Sequence, residues 1–265
     1  MSLINIPEKV ELPECANNII TNITEKPTQT IGTIINDILF MASHKLSFHA
    51  DKIRLQQQLA LEQFKKEIEI KIDQIPEANL SEPNIQLIGT AIDDSQYCLE
   101  HEELREMFAN LIAASLNTTK SSKATPLLSM IIKRLTPFDT LILSTFSNCG
   151  TRPICQYNAT NDKDSVTMQT NVYLEGISQA NIYDIEKRAI AISVLEALGL
   201  VKINYLDHLT SKGLYEPFSL IKAYNDYAIR AKKIGVDRKI DVNKGYVELT
   251  PTGKQFMDIC MPGQT

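Results

Sequence analysis

From residue 28 to about residue 75 the chain contains no proline. Leu39, Ala42, Leu46, Ala50, Ile53, Ala60, Phe64, Ile68, Ile72 and Ile75 recur there, mostly at steps of three or four. That period predicts a long amphipathic helix with room for one break. Its early part, IGTIINDILFMASHKL, is apolar around more of its circumference. Ile31, Ile35, Ile38, Leu39, Ala42 and Leu46 therefore form a candidate self-association face. Burial within the fold, or contact with a membrane surface, would use the same pattern, but no Lys/Arg-rich polar face supports the membrane reading.

Helical signals continue to about residue 146. Ser81-Glu82-Pro83 opens a second helix with the stripe Ile85, Ile88, Ile92 and Leu99. A third helix, from about residue 102 to 117, lines up Leu104, Met107, Phe108, Leu111, Ile112 and Ser115. Thr125-Pro126 and Thr136-Pro137 start a fourth and a fifth, proline being favoured at the first helical position. Thr136 followed three residues later by Asp139 resembles a capping box with Asp in place of Glu.

After Cys149 the texture changes. TRPICQYNATNDKD reads as polar and turn-rich, and SVTMQTNVYLE alternates as a strand does. A helix is predicted from about residue 179 to Leu198, ending at Gly199, with LVKINY as a strand. EPFSLIKAYNDYAIRAKKIG reads as an inserted helix. RKIDVNKGYVELT reads as a hairpin turning at Asn243-Lys244-Gly245, and Thr250-Pro251 caps a final helix.

The expectation is a mainly α protein: an irregular segment at 1–27, an all-helical domain at 28–135, and a winged-helix-like α+β domain at 136–265. Ten glycines and no tryptophan suit that helical balance. Leu198-Gly199-Leu200-Val201 and Leu249-Thr250-Pro251-Thr252-Gly253 look like the turns that bracket the wing in winged-helix proteins. The sequence departs from that pattern in placing about 40 residues between the two wing strands.

The central run LREMFANLIAASLN, followed by PLLSMIIKRLTPFDTLIL, resembles the bacterial abortive infection alpha family over residues 28–146. The Ile75-Pro76 turn and the Ser81-Glu82-Pro83 helix start belong to the same resemblance. It implies a part in defence against phage and implies no reaction. The residues that carry it are packing and capping positions.

Net charge is −5 overall, divided unevenly. Residues 1–120 carry 10 Lys+Arg against 18 Asp+Glu, and residues 121–265 carry 17 against 14. Any nucleic-acid contact should therefore fall in the second half. The candidate residues are Asn181, Lys187 and Arg188 on the proposed recognition helix. Arg230, Lys232, Lys233, Arg238, Lys239 and Lys244 form a basic stretch beyond it. Asp184, Glu186 and Glu196 make that helix a poor DNA reader, whereas the stretch 230–244 could touch phosphates without reading bases.

No Gly-x-Ser-x-Gly, Walker loop, dinucleotide fingerprint or His-Glu-x-x-His occurs. Asp93, Asp94, Glu100, His101, Glu102 and Glu103 diverge on a helix and read as a solvated acidic surface. The five scattered cysteines read as reduced thiols. Neither a signal sequence nor a membrane-length apolar run is seen. The expectation is a cytoplasmic, non-enzymatic defence protein without cofactor, metal or small-molecule substrate. It would act through self-association or another defence protein. A nucleic-acid-binding winged-helix regulator is the alternative.

Overall fold

The computed structural model describes residues 51–263 except residue 236, and for residues 51–57 the backbone alone. The expectations for residues 1–50 lie outside the described residues. These include the irregular start and the face of Ile31, Ile35, Ile38, Leu39, Ala42 and Leu46.

The fold is mixed α+β, with nine α-helices and one four-stranded antiparallel sheet among the described residues. Helix α1 (Asp51–Asp73) buries Ala60, Phe64 and Ile68, spaced four apart, against α3 (Glu102–Ser115). Between them, Arg105 Nε donates to Glu67 at 2.8 Å and Nη1 donates to the Leu99 carbonyl at 2.9 Å. Helix α2 (Ile85–Ser95) starts two residues later than Pro83 suggested. Asn84 caps it, because its side chain accepts the Leu87 N–H at 3.1 Å. Leu87 and Ile88 are buried, whereas Ile85 stays exposed. Helices α4 (Pro126–Ile132) and α5 (Pro137–Ser144) begin at their prolines. The capping box at Thr136 and Asp139 forms as read.

Two sequence expectations are corrected. Residues 151–160 are not a turn but strand β1 (Thr151–Thr160). Its inward positions Cys155, Tyr157 and Ala159 are buried, and the intervening Gln and Asn residues disguised the alternation. The hairpin at Asn243-Lys244-Gly245 does not exist: β4 (Lys239–Leu249) is one continuous strand. Glycine is needed at 245 for a different reason. A Cβ there would lie 2.4 Å from the Asn204 carbonyl oxygen and 2.5 Å from the Tyr205 ring.

With β2 (Ser165–Val172) and β3 (Val201–Asn204), the strand order is β2-β1-β4-β3. Helix α6 (Ile182–Ala197) connects β2 to β3. Short α7 (Pro217–Leu220) and α8 (Lys222–Ile234) lie between β3 and β4. One face of the sheet packs Tyr157, Ile240 and Val242 against Phe218, Ala223 and Tyr227 of α7 and α8. The other contributes Ile154, Val247 and Leu249 to a larger core that continues without interruption from Ala60 to Met261.

Helix α9 (Pro251–Cys260) closes this larger core. The Thr250 N–H donates to the Leu200 carbonyl at 3.0 Å, and its hydroxyl accepts the Gly253 N–H at 2.9 Å. Gly253 rests on that same Leu200 carbonyl, where a Cβ would come within 2.0 Å. At the far end of α9, buried Asn110 of α3 donates to the Cys260 carbonyl at 2.9 Å.

Gly253→Ala should therefore cost more than about 2 kcal/mol, since backbone would have to move. Gly89→Ala, in α2 with nothing within 4 Å of the new methyl, should gain roughly 0.5–1 kcal/mol. Urea unfolding of the two variants measures both signs.

Candidate functional site

Of the basic residues singled out by the sequence, Arg188 and Arg238 are held by backbone carbonyls, whereas the lysines are exposed. Asn181 is the N-cap of α6, its side-chain oxygen accepting the N–H groups of Tyr183 (2.8 Å) and Asp184 (3.2 Å). Arg188 turns back and donates to the Glu175 carbonyl at 2.7 Å. Burial lowers the pKa of its guanidinium from the usual range. Lys187 is exposed and lies 3.9 Å above the Phe138 ring of α5.

Arg238 is 8% exposed. It donates to the Ala159 carbonyl at 2.8 Å and to Asp164 at 2.6 Å, fastening the β1–β2 turn to the start of β4. Arg230 lies 4.0 Å from Glu186. Lys232 and Lys233 are exposed in the last turn of α8, and Lys239 is exposed at the first position of β4. Lys244, five positions further along β4, points to the opposite face of the sheet from Lys239 and lies 5.5 Å from the Tyr215 ring centre.

The outward side of α6 is of another character. Tyr183 is 81% exposed and Ile190 is 66% exposed. A groove of about 560 Å³ runs between α6 and β2, lined by Gln169, Thr170, Glu186, Ala189, Ile190 and Val194, among others. Beneath it a polar tie joins sheet and helix. Asn171, a non-glycine residue at φ 53, donates its backbone N–H to Tyr205 Oη at 2.9 Å. Its side chain accepts the Tyr205 hydroxyl at 2.8 Å and donates to Ser193 at 2.9 Å. Burial raises the Tyr205 pKa, so the phenol keeps the proton that this network uses.

A larger cleft, about 1260 Å³, opens between the start of β1, the 174–179 turn and the 209–221 segment. Arg152 stands at its edge, its Nε donating to the Thr145 carbonyl at 2.9 Å. Exposed Cys149 donates to the Thr151 carbonyl at 3.1 Å, and among the described residues no histidine lines the cleft to act as its base. Burial pushes the Cys155 and Cys260 thiols up, which makes them inert. Among the described residues, no three His, Cys, Asp or Glu side chains form a group that could hold a metal ion. No described helix is long and apolar enough to cross a membrane.

The chain is thus a mixed α+β protein whose exposed features are a mixed apolar helix face, an adjoining groove and an open cleft. The model of the family described as "Abortive infection alpha" matches residues 56–260. The protein belongs to that family, and the family associates it with abortive-infection defence against phage. The match runs through the sheet and α9, well beyond the span 28–146 that the sequence resemblance covered. No curated protein and no solved structure matches the chain.

Sequence reasoning missed the groove beside α6. Ile190 was hidden among the helix's core positions, and the strand it flanks gives no sign in sequence of lying at a sheet edge.

Arg238→Ala should destabilise the protein by about 1–3 kcal/mol, because its bonds to the Ala159 carbonyl and to Asp164 are lost together. Lys232→Ala and Lys233→Ala should each stay within about 0.5 kcal/mol. Chemical denaturation of the three variants separates the structural arginine from the free lysines.

Proposed function

We propose that this chain is a non-enzymatic bacterial phage-defence protein that acts by associating with itself or with another defence protein. Its surface for that association is the outward side of α6. The observation that carries this reading is the composition of that side: Tyr183, Glu186, Ile190 and Val194 face outward or line the groove, while Arg188 is turned inward. A helix that entered a DNA groove would present several arginines, lysines or amides there. Exposed apolar residues rimmed by polar ones suit a protein partner.

The same reading treats the chain as a helical part followed by a winged-helix-like part. In support, α6 passes through left-handed Gly199 (φ 73) directly into β3, and β3 pairs antiparallel with β4. The nucleic-acid reading would rest on the exposed lysines at 232, 233, 239 and 244, which could contact phosphate.

The test is phage plating on cells that carry the protein in its native setting. Ile190→Glu, at an exposed position, should abolish protection while the protein still accumulates and folds. Charge reversal at Lys232, Lys233, Lys239 and Lys244 should leave protection intact. The reading is contradicted if charge reversal removes both protection and duplex-DNA binding at low salt while Ile190→Glu is silent.

A further inference from the structure

The two edges of the sheet are finished differently. β3 is four residues long and carries Lys202, and its Ile203 N–H donates to the Glu196 side chain at 3.1 Å. Short length, a lysine and a capped donor are the usual means of keeping an edge from pairing. β2 is twice as long, carries no lysine, and is capped at one end only. Its sequence, SVTMQTNV, contains no charge and no proline over eight residues.

The inner end of β2 is sealed: Gln169 Nε2 donates to the Thr170 carbonyl at 2.8 Å, and the Asn171 N–H goes to Tyr205. Among the described residues, β2 pairs only with β1, and no side chain caps Ser165–Met168 on the outer side. The β1–β2 turn closes with the Asn161 N–H donating to the Asp164 carbonyl at 3.1 Å. By antiparallel alternation Val166 then bonds inward, and the backbone groups of Ser165 and Thr167 point outward. Val166, 40% exposed, and Ile190 of the adjoining groove supply apolar surface beside this open edge.

We infer that the outer edge of β2 pairs antiparallel with β2 of a second copy of this chain across a two-fold axis, joining two four-stranded sheets into one. This rests on the self-association reading above and names its surface. A second copy fits better than a foreign strand on grounds of charge. Residues near a two-fold axis meet their own copies, so any charge there would repel itself. β2 carries none, and two of the charges beside it are already partnered: Asp164 with Arg238 and Glu186 with Arg230. Centred on Val166, the pairing sets outward-pointing Ser165 opposite Thr167 and Val166 opposite its own copy. Every one of these pairs is uncharged.

Sedimentation velocity of the full chain over a micromolar concentration series tests this, with amide hydrogen exchange as a second readout. The expected species has twice the 29.8 kDa chain mass. It should persist at 1 M salt, where screening is nearly complete. The amides of Ser165 and Thr167 should exchange more slowly as concentration rises. Thr167→Pro removes an outward donor, and Thr167→Lys places like charges across the axis. Each should weaken the dimer at least about tenfold, a change of about 1.4 kcal/mol. Thr167→Lys, at an exposed side chain, decides the matter if the proline variant misfolds. A dimer undiminished by Thr167→Lys, with concentration-independent exchange at Ser165 and Thr167, overturns the edge pairing but leaves self-association standing. A chain that stays monomeric throughout overturns the pairing, and phage plating with Ile190→Glu then judges the broader reading alone.

Discussion

The Leu200 carbonyl is the point on which the architecture turns. It accepts the Thr250 N–H, and Gly253 rests directly on it. Two consequences follow from that one close approach. The αL turn at Gly199 is fixed between α6 and β3, and α9 is aimed back across the sheet toward α3. Only because α9 arrives there can Asn110 reach the Cys260 carbonyl, and Phe256 and Ile259 join a core that begins at Ala60. Each fully buried side chain of this kind contributes roughly 1.5–3 kcal/mol. The chain's last described helix therefore completes the packing of its first ones.

The sheet that α9 closes is asymmetric in how its two edges are finished. The α7–α8 insertion covers one face, and Tyr205 passes over Gly245 toward Asn171 and ties the sheet to α6. These devices secure the interior, while Lys202 and the Glu196 side chain guard the short β3 edge. They leave β2 and the adjoining side of α6 as the place where backbone donors and apolar side chains meet solvent together. We propose that such a surface is a meeting place for proteins.

Local signals in the sequence were reliable where the structure is local. The Thr136/Asp139 capping box, the Thr-Pro start of α9 and the Gly199 terminator all depend on residues within a few positions of one another. Long-range pairing defeated the same kind of reasoning. Gly245 looked like a turn, but it is small because Tyr205, forty positions earlier, lies against it. Strand β1 looked like a loop because its polar residues interrupt a run whose burial is set by α7 and α8. Within the basic stretch 230–244, the partners of Arg230 and Arg238 are Glu186 and Asp164, far back in the chain, where a local charge count does not reach. Family membership was legible from packing positions alone, and it reaches further along the chain than those positions suggested.

We propose that the protein presents its surface to protein and not to nucleic acid. Small-angle X-ray scattering of the full chain, with and without duplex DNA at near-physiological salt, addresses it most directly. Forward scattering should report twice the 29.8 kDa chain mass in both samples, the added DNA contributing only its own separate signal. A particle of single-chain mass that grows by forming a complex with the DNA would contradict it.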